Sequence, residues 1–195
     1  GPLSGDGFSP AINSEFGRVR QAVERFCRRP DEPVLAHELG LQLEHLAQSR
    51  DMLDREFARL AGVFASTGEA ERQGSNGEVE WLRHHCHMSV IDAAERMVVG
   101  EHLAEMPDSS AALDEGRVGF GHLVPIARNA RFCSNSPTAR FDEKPLLASA
   151  VEESVSRFRH TALSMRMSRT PKGTRCRRPT PSSPARCSCT RRMTA

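Results

Sequence analysis

The segment His84–His87, with the sequence His-His-Cys-His, holds the side chains best suited to bind a metal ion. On one helix only His84 and His87 share a face, because they lie three positions apart. A closed zinc site needs four ligands, and no second pair at ligand spacing occurs elsewhere in the sequence. His84 and His87 are therefore weak metal candidates, and the alternative is a helix end at which imidazoles meet the helix dipole. We predict no metal and no other cofactor.

The glycine-rich segment Gly116–Gly121 and His122 after it are the next candidates. The segment resembles a phosphate-binding loop only loosely, since no strand precedes it and no Gly-Lys-Ser/Thr follows. A general base at His122 would need a partner, and the sequence pairs it with neither a nucleophile nor a carboxylate. The pattern favours a packing or capping role for His122. We assign no catalytic residue and no small-molecule ligand, and an enzyme site centred on His84, His87 and His122 is the least favoured interpretation.

Residues 171–195 differ in composition from the rest of the chain. They hold seven Lys or Arg and no Asp or Glu, whereas residues 1–170 carry a net charge of −5. A segment without Leu, Ile, Val or Phe cannot build a core, so we predict a disordered basic tail. Any DNA binding should be nonspecific and come from this tail, because the body is net acidic. The arginines concerned are Arg175, Arg177, Arg178, Arg186, Arg191 and Arg192. The same composition also arises when a GC-rich gene is read out of frame, here with a switch near Thr174–Cys176.

The body shows helical periodicity and no sustained two-residue period, which predicts an all-α, multi-helix domain over residues 14–170. A flexible leader over residues 1–13 precedes a first helix that should begin at Glu15. Pro125 fits only the first turn of its helix, where no backbone N–H needs an internal partner. No apolar run approaches the length of a bilayer span, so we predict no membrane association and a cytoplasmic location with reduced cysteines.

The clearest element is one long helix patterned in heptads. Apolar side chains recur at alternating three- and four-residue steps over about four heptads, at Ala36, Leu39, Leu43, Leu46, Leu53, Phe57, Leu60 and Phe64. We expect this stripe to pack on its own domain, since paired charges are missing from the flanking positions. The alternative is a coiled-coil homodimer through the Leu39–Phe64 stripe.

Short motifs between residues 81 and 128 follow an order that is similar to a known family. They are Trp81-Leu82, a helix end at Pro107, an Ala-Leu-x-x-Gly-Arg turn that ends in Gly116-Arg117, and Gly121-His122 at the start of the next helix. Over about Leu39–Gly173 the chain resembles the domain of unknown function 222 of mycobacteria and other actinobacteria, whose members are often called HNH-nuclease-associated repeat proteins. In that family the helical domain usually precedes a C-terminal HNH endonuclease module. The resemblance implies structural roles for Trp81, Leu82, Pro107, Gly116, Arg117, Gly121 and His122.

The catalytic half of that family has no counterpart in this sequence. An HNH module needs a His as general base and further His or Asp ligands for a catalytic metal, and no His follows His160. The resemblance therefore implies a DNA-associated helical module of an HNH-endonuclease-type protein that lacks its catalytic region, by truncation or frameshift, and is inactive alone. The alternative is a helical protein-interaction or dimerisation protein with no nucleic-acid role.

Overall fold

The computed structural model describes residues 10–30, 35–137 and 139–168, and all regular structure in these ranges is helical. This confirms the all-α class. Most of the predicted leader and the whole predicted tail lie outside the described residues. None of the described helices combines the length and the apolar character that a bilayer span requires. The helices are α1 (Pro10–Cys27), α2 (Ala36–Ala65), α3 (Glu69–Arg72), α4 (Glu78–His85), α5 (Val90–His102), α6 (Pro107–Asp114), α7 (Phe120–Ser134), α8 (Glu143–Glu152) and α9 (Val155–Ser168), with a 3₁₀ turn at Leu103–Glu105 between α5 and α6.

Several helix ends follow directly from local chemistry. The Ser89 hydroxyl accepts a hydrogen bond from the Asp92 backbone N–H at 3.0 Å and so caps α5, as its Ser-x-x-Asp pattern predicts. After α6 the chain turns at Gly116, whose φ of 72° lies in the left-handed region that favours glycine. The first helix differs from its predicted start, because α1 begins at Pro10 and not at Glu15. Proline is well suited to a first helical position, since it has no N–H to leave unpaired.

Pro125 lies deeper in its helix than its lack of an N–H predicts. Because α7 begins at Phe120, Pro125 is its sixth residue, and the prediction that it occupies the first turn is wrong. Proline there removes the backbone hydrogen bond to the Gly121 carbonyl. The helix continues because its packing offsets this loss: α7 is buried along most of its length, including Leu123 and Ile126 on either side of the proline.

The chain divides into two compact units, and the boundary between Ser49 and Arg50 falls inside α2. The first unit comprises α1 and the first part of α2, among the described residues. The second unit comprises the remainder of α2 and α3–α9. This boundary lies within the range predicted as one helical domain.

The core of the second unit is built around α7, which packs against α5 on one side and α9 on another. Fully buried side chains from four helices meet there: Leu123 and Ile126 of α7, Leu113 of α6, Leu146 of α8 and Phe158 of α9. Each such side chain contributes about 1.5–3 kcal/mol relative to exposure. A smaller cluster forms where α4 meets α2 and α5, with Leu82 at its centre.

Within the second unit, small residues make the closest approach of α2 to α5. Gly62 faces the Gly100 backbone so closely that a Cβ at Gly62 would lie 2.7 Å from the Gly100 carbonyl carbon. Ala58 and Ala61 beside it are buried. An ion pair between Asp54 and Arg96, 2.6 Å long, joins the same two helices.

The expectation that the heptad stripe packs on its own domain holds for only part of the stripe, since Phe57 packs against the Leu82 cluster and the Phe64 ring lies 4.6 Å from the Trp81 ring. Leu53 and Leu60 of the stripe are 50% and 37% exposed, and Phe57 and Phe64 are only partly buried. The physical reason is the close helix crossing. A face of alanine and glycine lets two backbones approach further than leucine side chains would allow, and that face is rotated away from the stripe.

We expect Gly100→Ala to destabilise the second unit by about 1–3 kcal/mol or more, as overpacking does. The added Cβ would lie 2.0 Å from the Ala58 carbonyl oxygen, so α2 and α5 would have to separate. Thermal unfolding followed by circular dichroism measures the effect. Gly40→Ala is the matched control, because nothing lies within 4 Å of a Cβ there, and a helical Gly→Ala change stabilises by up to about 1 kcal/mol. A Gly100→Ala protein that melts at the wild-type temperature would contradict the close crossing.

Candidate functional site

The histidine segment does not form the shared helix face on which the metal hypothesis depended. His84 lies in the last turn of α4, whereas His87 lies beyond the helix with a φ of 55°. The His84 ring instead pairs with Glu80, Nε2 to Oε1 at 2.7 Å. Within the described residues, no group of three or more His, Cys, Asp or Glu side chains converges in a metal-binding arrangement.

The surface of α4 is organised by Glu80. Arg83 donates a 2.5 Å hydrogen bond to Glu80 Oε2, and His84 approaches the other carboxylate oxygen. Arg83 first, and His84 second, lower the pKa of the Glu80 carboxyl below its ordinary value of 4.5. Burial raises the pKa of the neighbouring Cys86 thiol, which keeps it protonated and weakly nucleophilic near neutral pH. The segment is thus an exposed ion-pair network at a helix end.

His122 uses both ring nitrogens in structural hydrogen bonds. Its Nδ1 accepts from the Gly119 backbone N–H at 3.2 Å, which caps the start of α7. Its Nε2 lies 3.0 Å from the Glu153 carbonyl oxygen, and since a carbonyl only accepts, Nε2 carries the proton. His122 therefore ties the start of α7 to the junction between α8 and α9. A general base at this position would first have to break one of these bonds.

Most of the other residues in the motifs of the proposed resemblance hold helix ends or packing contacts. The Trp81 indole donates to Gln73 Oε1 at 2.7 Å, and its ring stacks on His85 with centroids 4.4 Å apart. Leu82 is buried beneath it. Pro107 is the first residue of α6, and Gly116 follows the end of that helix. The exposed Arg117 pairs with Glu115 at 2.6 Å, and Gly121 lies against Val155 of α9.

Sequence reasoning missed Glu143, a buried carboxylate that caps another helix. Its Oε1 accepts from the Ser109 backbone N–H at 2.5 Å, and its Oε2 accepts from that of Asp108 at 3.4 Å. A negative charge at a helix N-terminus is stabilised by the helix dipole. No local pattern predicts this contact, because Glu143 follows Ser109 by 34 residues.

The first unit presents two apolar stripes that its described residues leave uncovered. On α1 the stripe consists of Phe16, Val19, Val23 and Phe26, which are 45–57% exposed. On α2 it consists of Leu39, Leu43 and Leu46, which are 48–67% exposed. These seven residues are called the N-terminal stripes below. The spacing of three, four and three residues on α1 would have predicted its stripe from the sequence, but this signal was missed.

Neither protein-family models, nor curated proteins, nor solved structures gave a match to this chain. The family resemblance therefore stays a prediction from the motifs. The six tail arginines predicted to bind nucleic acid, Arg175–Arg192, lie outside the described residues.

We expect Arg83→Gln to raise the pKa of Glu80 further than His84→Gln does, because the Arg83 bond is the larger cause of the low value. Carboxyl ¹³C shifts recorded against pH measure both. Since the folded pKa lies below 4.5, the Glu80 contacts stabilise the folded chain above that pH. The stabilisation is lost as the pH falls through the folded pKa. An unchanged Glu80 pKa in Arg83→Gln would show that the 2.5 Å contact does not form in solution.

Proposed function

We propose that this chain is a helical assembly module of an HNH-endonuclease-type protein, and that it joins two copies through the N-terminal stripes. The observation that carries the assembly role is the exposure of seven large apolar side chains in heptad register on α1 and α2. Apolar stripes of this spacing associate with other helices in water, because burying each side chain removes apolar surface from solvent. The nuclease context rests on the motif resemblance.

The charges of the first unit favour a second copy of the same chain as the partner. Residues 10–30 hold five arginines and two glutamates, whereas residues 35–49 hold two glutamates and no Lys or Arg. A basic α1 and an acidic start of α2 are complementary. In a two-fold symmetric dimer the basic α1 of each copy would meet the acidic start of α2 of the other copy. The same complementary contact would therefore form twice.

The motif residues have structural roles in the second unit, so the nuclease context rests on the resemblance alone. Trp81, Pro107, Gly116 and His122 each hold a helix end or a packing contact within the second unit. A motif can serve only to build a fold. A helical domain that accompanies a nuclease can therefore carry such a motif although none of the motif residues takes part in cleavage. The proposal thus assigns contact and positioning to this chain and no chemistry of its own.

We expect Leu43→Glu to weaken the dimer by about 100-fold or more, because a two-fold interface would bury the new carboxylate twice. Sedimentation equilibrium or light scattering across a protein concentration series measures the dissociation constant. Leu41→Glu is the matched control. Leu41 is 54% exposed and, two positions before Leu43, lies on the far side of α2 from the stripe, so its variant should remain dimeric.

A wild-type chain that stays monomeric at high concentration would refute the assembly role. So would an equal loss of dimer in the Leu43→Glu and Leu41→Glu variants, since a general change of charge would then explain both. Circular dichroism of each variant checks that α2 is still helical.

We expect the purified chain neither to nick nor to cut supercoiled plasmid DNA with magnesium, manganese or zinc. No His follows His160 to supply the base and metal ligands of an HNH site. Agarose gels of plasmid topology measure the outcome. Metal-dependent cleavage that persists through repurification, and that His122→Ala abolishes while leaving the helical spectrum intact, would overturn the noncatalytic role.

A further inference from the structure

The packed pair α7 and α9 concentrates positive charge on one part of the second unit. The two helices contain no Asp or Glu, and they carry Arg128, Arg131, Arg157, Arg159 and Arg166. The other described residues of this unit hold twice as many acidic as basic side chains. The acidic net charge of the body therefore conceals a basic region on α7 and α9 beside an acidic remainder of the unit.

Three of these arginines line an open groove, and a fourth borders the depression that continues it. Between α7 and α9 the groove has a volume of about 320 Å³, and it is lined on one side by Arg128 and on the other by Arg159 and Arg166. At Arg128 and Arg166 it continues into a second depression of about 390 Å³ along α5 and α7, which Arg131 borders. The two depressions together form an elongated, open surface bordered by arginines and not a closed pocket.

Glu95 of α5 places two of the guanidinium groups. Its Oε1 lies 3.2 Å from Arg128 Nη2 and 3.4 Å from Arg159 Nη2, and its side chain is 14% exposed. The Arg166 guanidinium lies 5.8 Å from the centre of the Phe132 ring, a cation–π distance. One carboxylate therefore holds two arginines while the groove as a whole remains positive.

A buried polar side chain also borders the groove with an unsatisfied atom. Asn129 is 3% exposed, and its Nδ2 donates to the carbonyl oxygens of Pro125 and Ala162 at 2.9 and 3.2 Å. The bond to Ala162 joins α7 to α9, whereas the bond to Pro125 lies within α7. The Asn129 Oδ1 has no hydrogen-bond partner among the described residues. An amide oxygen only accepts hydrogen bonds, so it can take a donor such as a ribose hydroxyl but not a phosphate oxygen.

We propose that this groove binds the phosphodiester backbone of a nucleic acid. Guanidinium groups bind phosphate through paired hydrogen bonds, and four of them border this groove and the depression that continues it. Arg159 and Arg166 lie seven residues apart on one helix, about 10 Å along its axis. Along the axis of a DNA duplex, each strand carries about three phosphates over that distance, at roughly one per 3.4 Å. An open row of arginines suits a polymer better than a single small phosphate, which would be bound by an enclosed site.

The test uses the full chain and fluorescence anisotropy with a labelled duplex and a labelled single strand of equal length. The groove variant is Arg131→Glu/Arg159→Glu, in which both changed side chains are exposed and Glu95 keeps its contact with Arg128. The matched control is Arg59→Glu/Arg72→Glu, which makes the same change of charge at exposed arginines of α2 and α3. Both pairs are also made in a chain whose six tail arginines, Arg175–Arg192, are replaced by glutamine. Melting curves check that every variant folds.

We expect the groove variant to weaken binding at least 10-fold in both tail backgrounds, and the control to weaken it far less. The slope of log K against log salt should become shallower by about two, since two phosphate contacts are lost. A loss of affinity in the groove variant for either probe supports the proposal. The probe that the wild-type chain binds more tightly identifies the duplex or the single strand as the ligand. Equal effects of the groove and control variants, or binding that vanishes entirely with the tail arginines, would overturn it. Competition by polyglutamate as strong as by DNA would also overturn it, because an acidic protein would then be the ligand.

Discussion

The second unit depends on the close approach of α2 to α5. Gly62 and Gly100 bring the two backbones so near that a Cβ at Gly100 would lie 2.0 Å from the Ala58 carbonyl oxygen. The Asp54–Arg96 ion pair then joins the same helices beside this crossing. α5 in turn packs on α7, the central helix of the core, so the position of α2 is transmitted to the remainder of the unit.

The crossing also leaves part of the heptad stripe of α2 exposed in the second unit. Because α2 turns its small residues toward α5, its large heptad residues lie on other sides of the helix, and Leu53 and Leu60 stay exposed. In the first unit, the seven residues of the N-terminal stripes are 45–67% exposed. A long amphipathic helix whose apolar side is not needed by its own core has that side free for a partner, and burial there is the main driving force for helix association.

The two proposed surfaces differ in how their charged side chains are arranged. In the first unit basic α1 and the acidic start of α2 complement each other, which suits a second copy of the chain. In the second unit α7 and α9 carry arginines without carboxylates, and Glu95 reaches them from α5. The net charge of a domain sets its long-range field, but a ligand at contact distance meets the local charges, since salt screens beyond about 10 Å.

Helix class and many helix ends could be predicted from the sequence, because periodicity, caps such as Ser89 and turns such as Gly116 act over a few residues. The predicted capping role of His122 belongs to the same group. The buried face of α2, the helical interior position of Pro125 and the Glu143 cap on α6 could not, since each depends on residues distant in sequence. The arginine groove is of the same kind: its side chains are unremarkable along the chain, and they become neighbours only because α7 packs against α9. Local chemistry specifies where helices form, whereas contacts between helices determine which faces are buried and which are left for partners.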